Sequence, residues 1–176
     1  MKKSEELQKK GIESFKVGDY EEALTHFEAA LAAATADNDR KKMAEALNDL
    51  GVVHRELGRV DKALETLEQA LQHYQDMDDE RGEAITLGNL GKVEESAGKY
   101  EDAVQSYLDA AAIFEEQGES EMAMFCWQAL SRLKLRQKDW VGAITAYEEG
   151  IAHLPNNSIK KKILQKVLKA PTRFLG

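Results

Sequence analysis

Leu90-Gly91-Lys92-Val93-Glu94-Glu95-Ser96-Ala97-Gly98-Lys99-Tyr100-Glu101-Asp102-Ala103-Val104-Gln105-Ser106-Tyr107-Leu108-Asp109-Ala110 is the stretch on which the fold turns. Its leading pair recurs as Leu50-Gly51, and the same phase gives Lys10-Gly11 and Leu130-Ser131, 40 residues apart each time. Seven residues after the small residue come Gly18, Gly58, Gly98 and Lys138, followed at two residues by Tyr20, Val60, Tyr100 and Trp140. Ala23, Ala63, Ala103 and Ala143 form the next column, then Phe27, Leu67, Tyr107 and Tyr147, and Ala30, Ala70, Ala110 and Gly150 close each unit. Columns that hold phase across four units define an internal repeat.

Each column has a physical reading. Leu47, Leu50, Gly51 and His54 share one helical stripe at i, i+3, i+4 and i+7, and the small residue within it lets a second helix come close. Gly58 ends that helix in the left-handed conformation. Asp61 or a neighbour caps the next helix, whose stripe is Val60, Ala63, Leu64, Leu67, Ala70 and Leu71. Asp19 with Glu22 has capping-box spacing in the first unit. The unit is therefore a pair of antiparallel helices, and the expected fold is all-α with units at about 4–37, 40–77, 80–117 and 120–154. Composition agrees: Ala, Leu, Glu, Lys and Gln dominate, and the two prolines, Pro155 and Pro171, fall near the C-terminus.

These columns resemble the tetratricopeptide repeat family, matched best by Gly91, Gly98, Tyr100, Ala103, Tyr107 and Ala110. The resemblance runs from about Ser4 to Pro155 and implies an α-α superhelix, a right-handed solenoid of four hairpins in a single domain. The usual unit has 34 residues; six more add roughly 9 Å of helix per hairpin. Segments such as Gly82 to Gly91 look like the long-repeat subgroup of Pins-like and kinesin-light-chain-like scaffolds, which bind peptides and partner proteins.

In such an array the first helices line a concave groove, the expected binding face. The second unit offers Glu45, Asn48, Asp49, Val52, Arg55 and Glu56 there, and the third offers Ile85, Gly88, Asn89, Lys92, Glu95 and Ser96. The fourth offers Phe125, Gln128, Ala129, Arg132, Leu135 and Arg136, and the first Gln8, Ile12, Phe15 and Lys16. By the resemblance, Asn89 matches an asparagine that holds the main chain of a bound peptide. Chaperone-binding members hold a C-terminal carboxylate in a cationic clamp; Gln8, Ile12, Asp49, Ile85 and Asn89 stand at those places, and the aspartate would repel it.

Other functions find no support. A net charge of −8 disfavours nucleic acid. Four histidines without a His-Glu-x-x-His pattern, and a lone Cys126, give no metal, cofactor or catalytic constellation, so no enzyme is expected. His54 and Cys126 read as core residues. Asp76 to Glu80 reads as a solvated turn, and Gly88 to Gly91 lies within a helix, not at a phosphate-binding turn. The single cysteine and a charged, signal-free N-terminus point to the cytoplasm.

The last nineteen residues carry six cations and no acid, so within a total of −8 residues 1–157 carry −14. Ile159, Ile163, Leu164, Val167 and Leu168 form an apolar stripe on a helix at about 158–169, ended by Pro171. The preferred reading is a cap on the last hairpin, with contact to an anionic membrane surface as the rival. The overall expectation is a protein-binding scaffold holding a partner's peptide or helix. Self-assembly through incompletely capped ends and a peptide-sensing regulator are the alternatives. The column residues should be intolerant of size: Ala103→Leu is expected to cost about 1–3 kcal/mol in denaturant titration, and Glu101→Leu less than about 0.5 kcal/mol. Equal effects would mean that the faces are assigned wrongly.

Overall fold

The computed structural model describes residues 2–156 and 158–168. The helices are α1 (Lys3–Lys16), α2 (Tyr20–Ala36), α3 (Arg40–Glu56), α4 (Val60–Gln75), α5 (Glu80–Ser96), α6 (Tyr100–Glu116), α7 (Ser120–Arg136), α8 (Trp140–Ala152) and α9 (Ile159–Leu168). The first eight pair into four hairpins, α9 follows as a short C-terminal helix, and no strand occurs among the described residues. Two compact units can be told apart, Met1–Ser106 and Tyr107–Gly176.

One turn design joins these helices. Gly18, Asn38, Gly58, Asp78, Gly98, Gly118 and Lys138 all have positive φ, so a left-handed residue recurs every 20 positions. The amide of the following residue reaches back to the carbonyl five residues earlier, as in Asp19 to Ser14 (2.9 Å), Arg59 to His54 (2.8 Å) and Asp139 to Lys134 (2.9 Å). This is the Schellman closure, which satisfies carbonyls that a helix end leaves orphaned. The 40-residue columns show only alternate turns, because Asn38 and Asp78 are not glycines. Lys138 adopts φ 62° where the earlier units have glycine.

Helix starts are fixed by aspartates. Asp19, Asp39, Asp79 and Asp139 each accept a hydrogen bond from the amide three residues on, at 3.2, 3.2, 3.0 and 2.9 Å. Two capping expectations need correction. The cap position of α4 is Arg59, which makes no side-chain bond, and Asp61 lies inside the first turn. The capping box at Asp19 is half formed, because the Glu22 carboxylate accepts from Ser14 Oγ (2.9 Å) rather than turning back. The acidic run after Asp76 is only partly a solvated turn: Asp79 caps α5 and pairs with Lys41 at 3.1 Å.

The repeat columns form the core. Ala23, Ala63, Ala103 and Ala143 are buried, as are Phe27, Leu67 and Tyr107. In the first two hairpins, small residues meet large ones: a Cβ on Gly11 would fall 2.6 Å from Phe27 Cε1, and one on Gly51 would fall 2.7 Å from Leu67 Cδ2. The fourth hairpin departs for visible reasons. Ser131 Oγ donates to the Ala143 carbonyl at 2.7 Å, and a Cβ on Gly150 would fall 2.7 Å from both Met124 Sδ and Trp127 Cβ. The aromatic column does not behave as core: Tyr100 is 40% and Trp140 64% exposed. All three aromatics start their helices, but Tyr20 packs against the Phe15 ring at 5.3 Å between centroids, and the positions in phase with Phe15 are Glu95 and Leu135 in the third and fourth units.

Helix α9 begins at Ser158, whose hydroxyl accepts from the Lys161 amide at 3.4 Å. Lys161 Nζ donates to the carbonyls of Ala152 (2.9 Å) and Leu154 (2.8 Å), neutralising the exposed end of α8. Leu164 packs on Met124, Ile151 and Leu154, whereas Ile159 and Ile163 are exposed. Lys169, Pro171 and Arg173, used above to end and charge this helix, lie outside the described residues.

Two glycines give a paired test. Gly51→Ala is expected to destabilise by about 1–3 kcal/mol through overpacking against Leu67. Gly88, with nothing within 4 Å of its Cβ position, should instead gain about 0.5–1 kcal/mol from the same change. Chemical denaturation of the two variants checks the signs, and a shared sign would contradict the packing described.

Candidate functional site

The first helix of each hairpin buries one stripe and leaves the other partly open. On α3 the buried stripe is Ala44, Ala46, Leu47, Leu50, Gly51, Val53 and His54. Asn48, Asp49, Val52 and Arg55 alternate with it at the periodicity of a helix and are half-buried. His54 is a core residue, as expected: burial, then Arg59 and Lys62, hold its imidazole below its usual pKa. Cys126 is buried too.

The half-buried side chains connect neighbouring first helices. Gln8 of α1 donates to Asp49 Oδ2 on α3 at 2.9 Å. Asn89 of α5 donates through Nδ2 to Asn48 Oδ1 at 3.0 Å, and Thr86 Oγ1 lies 3.3 Å from the same oxygen. Asn89 Oδ1 faces Lys92 Nζ at 3.5 Å. Asn48 and Asn89, expected from the sequence to face a ligand, bridge α3 to α5. Arg55 is paired with the adjacent Glu56, and Val52, about one turn earlier on α3, is half-buried.

A cavity of about 300 Å³ adjoins this row, lined by Gln8, Lys41, Glu45, Asp49, Arg81 and Ile85 among others. Burial pushes the Asp49 carboxyl up to about 6, and Glu45 adds to the effect, while bonds from Gln8 and Asn48 oppose it. The amide of Gly82 holds Asp79 below the usual carboxylate range, with Lys41 assisting. Burial raises the Tyr74 phenol, and the neighbouring carboxylates raise it further. Lys41, Tyr74 and Arg81 were not anticipated; they come from the helix starts and from α4, outside the stripe that periodicity selects.

The fourth hairpin holds a separate, mainly apolar cavity of about 430 Å³. Phe125, Gln128, Arg132 and Leu135 of α7 line it together with Ile144 and Tyr147 of α8. Arg136 is exposed on the last turn of α7. Two sequence assignments are corrected here. Ala129 is buried, and Phe15 packs into the core against Tyr20, so neither belongs to an open face. Among the described residues no group of three His, Cys, Asp or Glu could hold a metal ion, and no helix is long and apolar enough to cross a membrane.

A family model for the tetratricopeptide repeat matches residues 11–76 and 82–156. The chain belongs to the tetratricopeptide repeat family. No curated protein matches the sequence. Among solved structures, BtubC (BKLC) from P. vanneervenii is similar at TM-score 0.74 and 23% identity, over 94% of this chain and 71% of that one. A Rap protein crystallised in complex with competence and sporulation factor is similar at TM-score 0.80 and 23% identity, over 86% of this chain but only 42% of that one. A kinesin light chain with nearly identical repeats from Podosopora anserina gives TM-score 0.75 and 16% identity, over 92% and 81%. At such identities the likeness is one of fold. Tetratricopeptide arrays serve in general as protein-interaction scaffolds and are typically non-catalytic, and the resemblance to kinesin-light-chain-like repeats read from the sequence is upheld at the level of structure.

The Asp49 environment makes a pH test. Its folded pKa lies above the ordinary 3.8, so the folded state holds the proton more tightly than the unfolded one. Ionisation therefore costs stability progressively between about pH 4 and 6, and the cost is complete above that window. Asp49→Asn should stabilise the protein by on the order of 1–2 kcal/mol at pH 7.5, after allowance for partial solvent screening, and by nothing near pH 4. Parallel denaturant titrations at the two pH values check this; a pH-independent difference would remove the buried ionisation.

Proposed function

We propose that the protein is an interaction scaffold that holds a segment of a partner protein against the face formed by α1, α3 and α5. The observation that carries this reading is the half-buried polar row Gln8–Asp49 and Asn48–Asn89–Lys92 beside a polar cavity of about 300 Å³. A carboxamide nitrogen carries two hydrogens, so Asn89 can serve Asn48 and a partner's carbonyl together. Gly88, one residue away, leaves open space where a main chain can approach. The Rap protein of similar fold, crystallised with competence and sporulation factor, is a precedent for an array of this kind holding a factor. Asp49, Val52 and Arg55 on the same face would set register and charge preference.

Stacking of copies through their ends has less support. Where α3 presents Ala46, Leu50 and Val53, all buried, α1 carries Glu6, Lys10 and Glu13 in the same phase. Charged side chains there would have to be desolvated in a stack.

The test needs a partner recovered by pull-down and then calorimetry. Asn89→Ala should weaken binding by roughly tenfold to a hundredfold, corresponding to ~1–3 kcal/mol for an unpaired peptide group. Its own stability should fall by about 0.5–1.5 kcal/mol, because the bond to Asn48 goes with it. Arg55→Glu and Lys92→Glu should alter affinity with little effect on melting. Unchanged affinity in all three, with losses mapping instead to Glu68 or Asp109 on the second helices, would refute the proposal.

A further inference from the structure

In the first two hairpins the end face of one hairpin is a seat for the next first helix. Ala23, Leu24 and Phe27 of α2, with Phe15 of α1, are covered by Leu50 and Val53 of α3, and Leu57 packs alongside. The 40-residue phase carries Phe15, Leu24 and Phe27 onto Leu135, Ile144 and Tyr147. These three line the apolar cavity of the fourth hairpin. Leu24 is 9% exposed, whereas Ile144 is 53% and Leu135 42% exposed. Helix α9 accounts for part of the face only: in phase, Leu164 stands where Ala44 does, and it packs on Met124, Ile151 and Leu154. The cavity is the remainder of the seat.

We propose that this remainder of the seat docks an amphipathic helix of a partner protein, with Leu or Val at i, i+3 and i+7 and acidic flanks. The apolar spacing is that of Leu50, Val53 and Leu57, which fill the equivalent seat in the first hairpins. The acidic flanks follow from charge. Arg132 lines the cavity and makes no ion pair among the described residues, and Arg136 and Lys138 follow it in the sequence, while Lys134 pairs with Asp139 at 3.8 Å. At the corresponding places the first unit has Ile12, Ser14, Lys16 and Gly18, so the basic rim belongs to this hairpin alone of the two. The positions 120 residues after Leu50 and Val53 are Ala170 and Arg173, which lie outside the described residues. A second copy presenting α1 would offer Lys10 and Glu13 there. The seat is distinct from the α1/α3/α5 face, and the two readings stand or fall separately.

The test uses the full chain and two synthetic helical peptides with identical Leu, Val and Leu positions, one flanked by glutamates and one by lysines. Fluorescence anisotropy should show the glutamate peptide binding at least tenfold tighter, with the preference collapsing in about 0.5 M salt as charges are screened. Ile144→Glu should abolish binding of the glutamate peptide, and Arg132→Glu should invert the preference. Both positions are exposed, so melting should stay close to that of the parent chain; Leu135→Ser is a second variant for the apolar contact. No binding of either peptide, equal binding of both, or full affinity in the Ile144→Glu and Leu135→Ser variants would overturn the proposal. So would light scattering that shows a dimer dissolved by Ile144→Glu, which would make a second copy the occupant.

Discussion

Everything in these hairpins follows from how closely two helices can approach at one point. Gly11 receives the Phe27 ring and Gly51 receives Leu67, in places where even a methyl group would collide. Such an approach sacrifices helix propensity at the glycine, a loss of roughly 0.5–1 kcal/mol, in return for dispersion contacts along a whole pair of helices. The large partner is itself fully buried, so each interlock anchors its hairpin from within. The fourth hairpin reaches a similar junction by other means, with a serine hydroxyl bonded to the backbone of the opposing helix.

With one stripe of the first helix committed to that junction, its opposite side is left for polar residues that neither face bulk water fully nor enter the core. They are satisfied between helices of neighbouring hairpins, Gln8 with Asp49 and Asn48 with Asn89. Asp49 shows the tension in this arrangement. It is hydrogen-bonded, yet desolvation still raises its pKa to about 6. The bond from Gln8 offsets only part of that cost.

The fold was legible from the columns because each column position has one dominant physical demand. Small residues at the junction, alanines facing them and a left-handed turn can be read without knowing any neighbour. Turns at Asn38 and Asp78 escaped the same reading because asparagine and aspartate tolerate positive φ without advertising it as glycine does. The exposed Tyr100 and Trp140 were overread, since a recurring aromatic was equated with burial. The candidate faces were half legible. Helical periodicity correctly picks out the open side of α3 and α5, but a bond such as Asn89 to Asn48 depends on the offset between two helices, which no single-helix pattern encodes. Likewise the cavity beside Ile144 is defined by what does not cover it, and absence of a neighbour leaves no mark on a sequence.

The 20-residue alternation of helix and closed turn also governs how the chain can reach its native state. Among the described residues, the helices that pack together within each unit are immediate or next neighbours, so their pairing needs only short closures. Topologies this local fold fast, and their folding order is set by which hairpin is intrinsically strongest rather than by a distant pairing that must form first. In amide exchange such a chain shows graded protection along its length in place of a single global opening. Opening of α1 releases the interlock at Gly11, whereas the one at Gly51 lies further inside the array.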